Sequence, residues 1–302
     1  MERYKHLNVW LKEKFGERVL KICIDGGFSC PNRDGTKGVG GCIFCSECGS
    51  GEHIKEKQIE NQIMKHLESY RGGRANKFVA YFQNFSNTYD KPENLKRKYD
   101  AALKFDKIVA LAVATRPDCI SEEVAEFLES YAKSHYVWVE LGLQTANDKT
   151  FLNKCYTSED FENAVKILNR HNIDVVAHIM IGLPGETKED LKNTIEFLNR
   201  QNIQGIKIHS TYVVKNTKLE KMFLAGEYKP IEFEEYIESV IFVLENINPK
   251  IIVHRISGDA PKDLLVAPEW NLHKKWILNG VDKKMKELNS FQGKHFKKII
   301  KK

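Results

Sequence analysis

Cys30-Pro-Asn-Arg-Asp-Gly-Thr-Lys-Gly-Val-Gly-Gly-Cys42-Ile-Phe-Cys45, continued by Ser-Glu-Cys48-Gly-Ser-Gly, is the stretch around which the chain is organised. It sets three thiols, with a fourth close behind, on a glycine-rich loop between a strand-like run (19–25) and a helical run (54–70). Asp34-Gly35, Gly38 and Gly40-Gly41 let the backbone fold back, so Cys30, Cys42 and Cys45 can converge despite a first gap of eleven residues. Convergent thiolates ask for a metal. A four-iron cluster ordinarily takes four thiolates, and three leave one iron open to a substrate or cofactor. Zinc is the rival, since Cys42-x2-Cys45 with Cys30 and Cys48 makes a four-thiolate tetrahedron. Seven cysteines, an odd number, in a chain of 302 residues argue against a disulfide framework. Cys23, Cys119 and Cys155 stand apart among apolar neighbours and read as buried or inert.

The length suits one large α/β domain with a small extension, and 42% hydrophobic with 29% charged residues is ordinary for a soluble globular chain. Residues 1–20 carry charges throughout, and no run approaches the ~18 apolar residues of a membrane span. The expected setting is therefore cytoplasmic, away from membranes, where thiols stay reduced. The net charge of +6 is uneven: residues 271–302 hold ten lysines against Asp282 and Glu287. Such a patch is a footprint for a polyanion, with RNA or DNA the obvious candidate. The plainer alternative is an amphipathic helix packing Trp276, Val281, Met285 and Leu288 while its lysines face water.

After the cysteine loop, short β-branched runs alternate with helical stretches, the pattern of βα units around a parallel sheet. Strands are expected at 19–25, 78–83, 108–114, 136–141, 175–181 and 205–209, with helices near 54–70, 92–103, 121–134, 158–171, 188–200 and 233–246. Ser121 and Ser158, each followed by two acidic residues, are expected N-caps. A boundary near Asn248-Pro249 divides the barrel (1–248) from a substrate-framing segment and Lys-rich tail (249–302). Polar groups cluster at five successive strand ends: Gln83-Asn84, Arg116-Pro117-Asp118, Glu140 to Gln144, Gly182-Leu183-Pro184-Gly185, and His209 to Tyr212. Each alone has a bland explanation, such as Glu140 pairing with Arg116. Together, after the right strands and in order, they mark the rim where barrels of parallel strands do chemistry.

The loop, with Phe44 just before its last thiol, resembles the cluster loop of radical S-adenosylmethionine (SAM) enzymes. Its wording CPNRDG…GGC-x-FCS-x-x-GSG is similar to the YhcC/YtqA-like, MnmL-type branch, which is related to the catalytic subunit of Elongator. The common superfamily spacing has a shorter first gap, and the wide one here narrows the resemblance to that branch. Over about residues 19–259 the resemblance implies a partial (β/α)6 TIM-like barrel with a short basic C-terminal extension. It further implies a [4Fe-4S] cluster on Cys30, Cys42 and Cys45, with SAM on the fourth iron and cleavage to a 5′-deoxyadenosyl radical.

By motif position, Gln83 and Asn84 would hold the methionyl amine of SAM and Arg116 would face a carboxylate. Glu140 and Gln144 would take ribose hydroxyls, while Gly182, Leu183 and Pro184 would lie along the adenine. His209, Tyr212, Arg255, Asp259, Lys262 and Asp263 are the substrate candidates. Cys48 is expected to be dispensable, because a further thiolate would block the open iron. The branch points to transfer RNA, whose wobble 5-carboxymethylaminomethyluridine would become 5-aminomethyluridine before a separate methyltransferase acts. The electron donor would be of the flavodoxin or ferredoxin kind. A radical SAM enzyme working on a small metabolite or protein, and a non-catalytic zinc-bearing nucleic-acid-binding protein, are the alternatives.

Overall fold

The alternation of β-branched and amphipathic runs builds, in the computed structural model describing residues 2–47, 49 and 54–297, one curled parallel sheet. Strands β1 (Val19–Ile24), β2 (Lys77–Phe82), β3 (Ile108–Thr115), β4 (Tyr136–Gln144), β5 (Asp174–Ile181) and β6 (Gly205–Ser210) lie side by side in chain order. β7 (Val213–Val214) drops out of the row, β8 (Ile252–Arg255) takes the edge beside β6, and β9 (Leu265–Ala267) pairs antiparallel with β7. Among the described residues the parallel sheet therefore has seven strands, one more than expected. β8 escapes the sequence because four residues are too few to show a period. It also means that the expected division near Asn248-Pro249 falls before a strand that belongs to the sheet.

The helices are α1 (Leu7–Phe15), α2 (Ile59–Glu68), α3 (Pro92–Leu103), α4 (Glu122–Ala132), α5 (Ser158–Arg170), α6 (Lys188–Arg200), α7 (Lys218–Leu224), α8 (Phe233–Asn246) and α9 (Lys274–Glu287). The helix expected over 54–70 starts only at Ile59, and Gln62 on it ties off β1 by two hydrogen bonds to the Asp25 backbone, at 2.8 and 2.9 Å. Ser121 caps α4 as expected, accepting from the Val124 N–H at 3.3 Å. The cap of α5 is Thr157 instead of Ser158: its side chain accepts from the Asp160 N–H, and Asp160 returns the bond to the Thr157 N–H. That reciprocal box satisfies two end donors at once, which the neighbouring serine cannot do from within the first turn.

Strand residues alternate between two apolar surfaces. Ile22, Phe78, Leu111, Val139, Ala177 and Ile206 face the helices in the main core. Val19, Val79, Ala110, Trp138, Val176 and Ile252 face inward, where α1 closes the bottom of the curl with Leu7 and Leu11. Burying each of those leucines contributes roughly 1.5–3 kcal/mol. α9 buries Ile277, Val281 and Met285, spaced by four, whereas Trp276 and Leu288 stay 56% and 49% exposed. The packed face is thus turned from the expected one. The end of the Lys-rich tail, and Cys48, lie outside the described residues.

Candidate active site

The cysteine loop leaves β1 and is pinned from three sides. The Cys30 carbonyl accepts from the N–H groups of Arg33 at 2.8 Å and Asp34 at 3.2 Å, closing a tight first turn. Arg33 Nη2 then donates to the Cys45 carbonyl at 3.1 Å and to that of Ser46, with its guanidinium over the Phe85 ring. Asn32 is fully buried: its Nδ2 donates to the Asn153 carbonyl and approaches Cys42 Sγ at 3.8 Å, and its Oδ1 accepts from the Cys155 thiol at 3.2 Å. Asn153 Nδ2 donates in turn to the Gly41 carbonyl at 2.7 Å, and the Ile43 backbone is bracketed by Leu152 and Leu219. Gly38 is required by this packing, since a Cβ there would sit 2.3 Å from Asn32 Oδ1.

Cys30, Cys42 and Cys45 form no disulfide, and they feel one another. Burial pushes the Cys42 thiol up to about 12, Cys45 and Cys30 push in the same direction, and Arg116 pulls it back. Three sulfurs so placed repel as thiolates and call for a cationic partner, so the donor set fits the three corners of a four-iron cluster. Cys48, the fourth thiolate of the alternative zinc tetrahedron, lies outside the described residues.

Of the residues expected at the strand ends, Asn84 is 1% exposed and its Oδ1 accepts from no protein donor. An unpartnered buried acceptor suits a ligand ammonium. Gln83 lies directly before it, its N–H bonded to the Ile24 carbonyl at 3.3 Å. Gln144, at the true end of β4, meets the buried Tyr156 hydroxyl at 2.7 Å. Gly182, Leu183 and Pro184 form one wall of a cavity of about 340 Å³, with Tyr228 and Ile231 opposite. Tyr228 donates to the Gly182 carbonyl at 2.8 Å, and a Cβ on Gly182, whose φ is 82°, would meet Ile231 at 2.9 Å.

Arg116 does face a carboxylate, but it is the protein's own: Nε and Nη2 donate to the two oxygens of Asp118 at 2.9 Å each, while Lys37 donates to Asp118 Oδ2 at 2.7 Å. Glu140 is not at the rim. The extra length of β4 keeps it inside the curl, where Oε1 accepts from Lys21 at 3.2 Å and Trp138 Nε1 at 3.1 Å, and Oε2 meets His178 Nε2 at 2.9 Å and accepts from Lys207. Burial alone would raise its carboxyl pKa, yet Lys207, then Lys21 and His178, hold it well below the ordinary carboxylate range.

The substrate candidates divide into two groups. His209 sits on the inner face with its ring 5.2 Å from that of His178, and a Cβ on Gly258 would lie 2.9 Å from Tyr212 and 3.7 Å from His209. Arg255 pairs with Asp259 at 2.8 Å, which also takes Lys274 at 2.9 Å, while Lys262 and Asp263 are exposed on the following turn. Lys21 and His178 each break an apolar run in β1 and β5, and Lys207 alternates with His209 in β6, a signal for positions facing a barrel interior. Asn32 lies in the cysteine loop itself, but its partners Asn153 and Cys155 come from far along the chain, where no spacing ties them to it. Among the described residues, no helix is long and apolar enough to cross a membrane.

Residues 32–198 match the Radical SAM superfamily and residues 203–287 the Radical_SAM C-terminal domain. The chain is 37% identical to the uncharacterized protein YtqA of Bacillus subtilis (strain 168) over an alignment covering 99% of this chain and 94% of that protein. It is 34% identical over 167 residues to the tRNA uridine(34) acetyltransferase of Methanocaldococcus jannaschii, covering 53% of this chain and 30% of that protein. Among solved structures, the archaeal Methanocaldococcus infernus Elp3 with an N-terminal deletion shares the fold at a TM-score of 0.65 and 20% identity, over 91% of this chain and 64% of that one.

Proposed function

Because the chain belongs to the radical SAM superfamily, whose members use a [4Fe-4S] cluster and SAM, we propose that it modifies the wobble uridine of transfer RNA. The reaction is conversion of 5-carboxymethylaminomethyluridine to 5-aminomethyluridine, ahead of a separate methyltransferase and with a flavodoxin- or ferredoxin-like reductant. The observation that carries this reading is the 34% identity, over 167 residues, with a protein named for uridine 34 of transfer RNA. The lysines of α9 add to it, since neutralised phosphates supply much of the sequence-independent affinity for nucleic acid.

When bound, the cluster would supply the electron for reductive carbon–sulfur cleavage of SAM, the source of hydrogen abstraction from the substrate. The chain's own part is to hold and shield. Cys30, Cys42 and Cys45 would hold the cluster, and Arg116, with Nη1 4.0 Å from Cys30 Sγ, would support the first of these sulfurs. Asn84 Oδ1 would accept from the methionyl ammonium, Gln144 would serve the ribose, and the 182–184 backbone would serve the adenine. Ile43, Leu152, Leu183 and Val213 form an apolar cluster beside the loop that keeps water from the reacting face.

Nucleoside analysis of transfer RNA from a deletion strain tests the substrate. The expected result is accumulation of the carboxymethylaminomethyl form and loss of the aminomethyl form at the wobble position. An unchanged profile overturns the transfer RNA assignment and leaves a radical SAM enzyme acting on a small metabolite or protein.

A further inference from the structure

One layer above the α1 floor, on the inner face of the sheet, Glu140 stands among Lys21, Lys207 and His178. Two ammonium groups share one carboxylate, and Tyr81 adds a hydroxyl 3.0 Å from Lys207 Nζ. An ion cluster kept for shape alone balances its charges, because an uncompensated buried charge is strongly destabilising. With Lys207 charged this layer has a cation to spare, and with Lys207 neutral it balances. Burial, with Lys21 and Arg255 assisting, pulls the Lys207 ammonium down to about 7 although Glu140 works the other way. The charged groups facing it are Lys21 and Cys23 from β1, Tyr81 from β2, Glu140 from β4, His178 from β5, His209 from β6, and His254 and Arg255 from β8. β3 contributes the small side chains of Ala110, Ala112 and Ala114 to the buried inner face, which leaves that wall thin.

Access differs across the layer. Glu140 and Lys207 are sealed, with side chains 0% and 4% exposed, whereas Lys21 and His178 keep 19% and 18%. Lys21 spends one bond on Glu140 and has N–H donors in hand. His209, its ring 5.2 Å from that of His178 and tilted against it by 37°, has a buried Nε2 with no partner. Surplus positive charge, spare donors and an unpartnered imidazole nitrogen thus line one inner surface, and the strands that carry it run up to the cysteine loop.

We propose that this layer is the seat of the substrate's carboxylate, held by Lys21 and backed by Lys207. The wobble-uridine reading enters only in naming the carboxymethyl group as the source of that carboxylate; the seat itself stands on the charge imbalance. An arriving anion restores the balance, so Lys207 completes its protonation and binding takes up a proton above about pH 7.

The test is isothermal titration of the cluster-reconstituted enzyme, in two buffers of different ionisation enthalpy, with two pairs of probes. The first pair is the nucleoside 5-carboxymethylaminomethyluridine and its carboxamide; the second is N-methylglycine and N-methylglycinamide. The expected result is that each acid binds about tenfold or more tightly than its amide, with proton uptake; such a difference is about 1.4 kcal/mol. Lys21→Met removes the difference and Lys21→Arg retains it. Nucleoside acid and amide binding alike overturns the seat while leaving the uridine reading intact. N-methylglycine binding with Lys21-dependent proton uptake, when neither nucleoside binds, supports the seat and removes the uridine reading. Binding of no carboxylate at all overturns the seat. The wild-type comparison decides the matter even if Lys21→Met fails to fold.

Discussion

Arg116 Nη1 lies 4.0 Å from Cys30 Sγ, so the guanidinium that clasps Asp118 also places its positive charge against the first sulfur of the cluster loop. The clasp is nearly dry, with side chains 8% and 4% exposed. Asp118→Ala strands a buried guanidinium, and the expected loss is about 3–5 kcal/mol, read by urea denaturation of the cluster-free protein. An unchanged midpoint and slope would show that the clasp does not hold the fold.

Alanine at Cys30, Cys42 or Cys45 is expected to abolish 5′-deoxyadenosine formation from SAM and dithionite, with iron content falling alongside. Cys48→Ala is expected to retain most of the activity. If that variant were also dead, the set of ligands would have to be redrawn.

Gly38→Ala tests how the loop is braced. The added methyl would sit 2.3 Å from Asn32 Oδ1 and 3.1 Å from Cys155 Sγ, and Asn32 has no room to retreat. Overpacking of this kind costs about 1–3 kcal/mol, and poor iron uptake on reconstitution should accompany it. Gly73→Ala, with nothing within 4 Å of the new atom, is the control and should stay within about 0.5 kcal/mol of wild type. Equal behaviour of the two variants would rule out the brace.

Stability should fall with acid. Burial, then the charge of Lys207, holds the His178 imidazolium down to about 4, and burial holds His209 and His254 well below their ordinary value. The unfolded chain therefore takes up protons, as pH drops through 6.5, that the fold refuses until about pH 4. The stabilisation is complete above 6.5 and is lost across that window, with roughly 3 kcal/mol as the ceiling from His178. Urea melts of cluster-free protein between pH 4.5 and 8 check this, and His178→Gln should flatten the slope. An identical slope in the variant removes His178 from the account.

Lys275 and Lys283 are exposed on α9. Changing either to alanine should weaken transfer RNA binding alike for all sequences and lower the salt slope by about one unit per lysine. Filter binding at several salt concentrations measures it, and an unaltered slope would separate this face from the RNA.

The cysteine loop, the order of strands and helices, and the polar strand ends could be read from the chain because each rests on short-range chemistry: glycine turns, alternating burial, caps a few residues away. The identity of each partner could not. Lys21 and Glu140 are 119 residues apart in sequence, and only the register of four neighbouring parallel strands brings them to one inner layer. The same holds for Asn32, whose partners Asn153 and Cys155 lie 121 and 123 residues further on, and for β8, too short to announce itself until the edge of β6 offered it a ladder. Local pattern settled which elements form; packing settled which side chains meet, because burial and register act between segments whose distance along the chain carries no record of their contact.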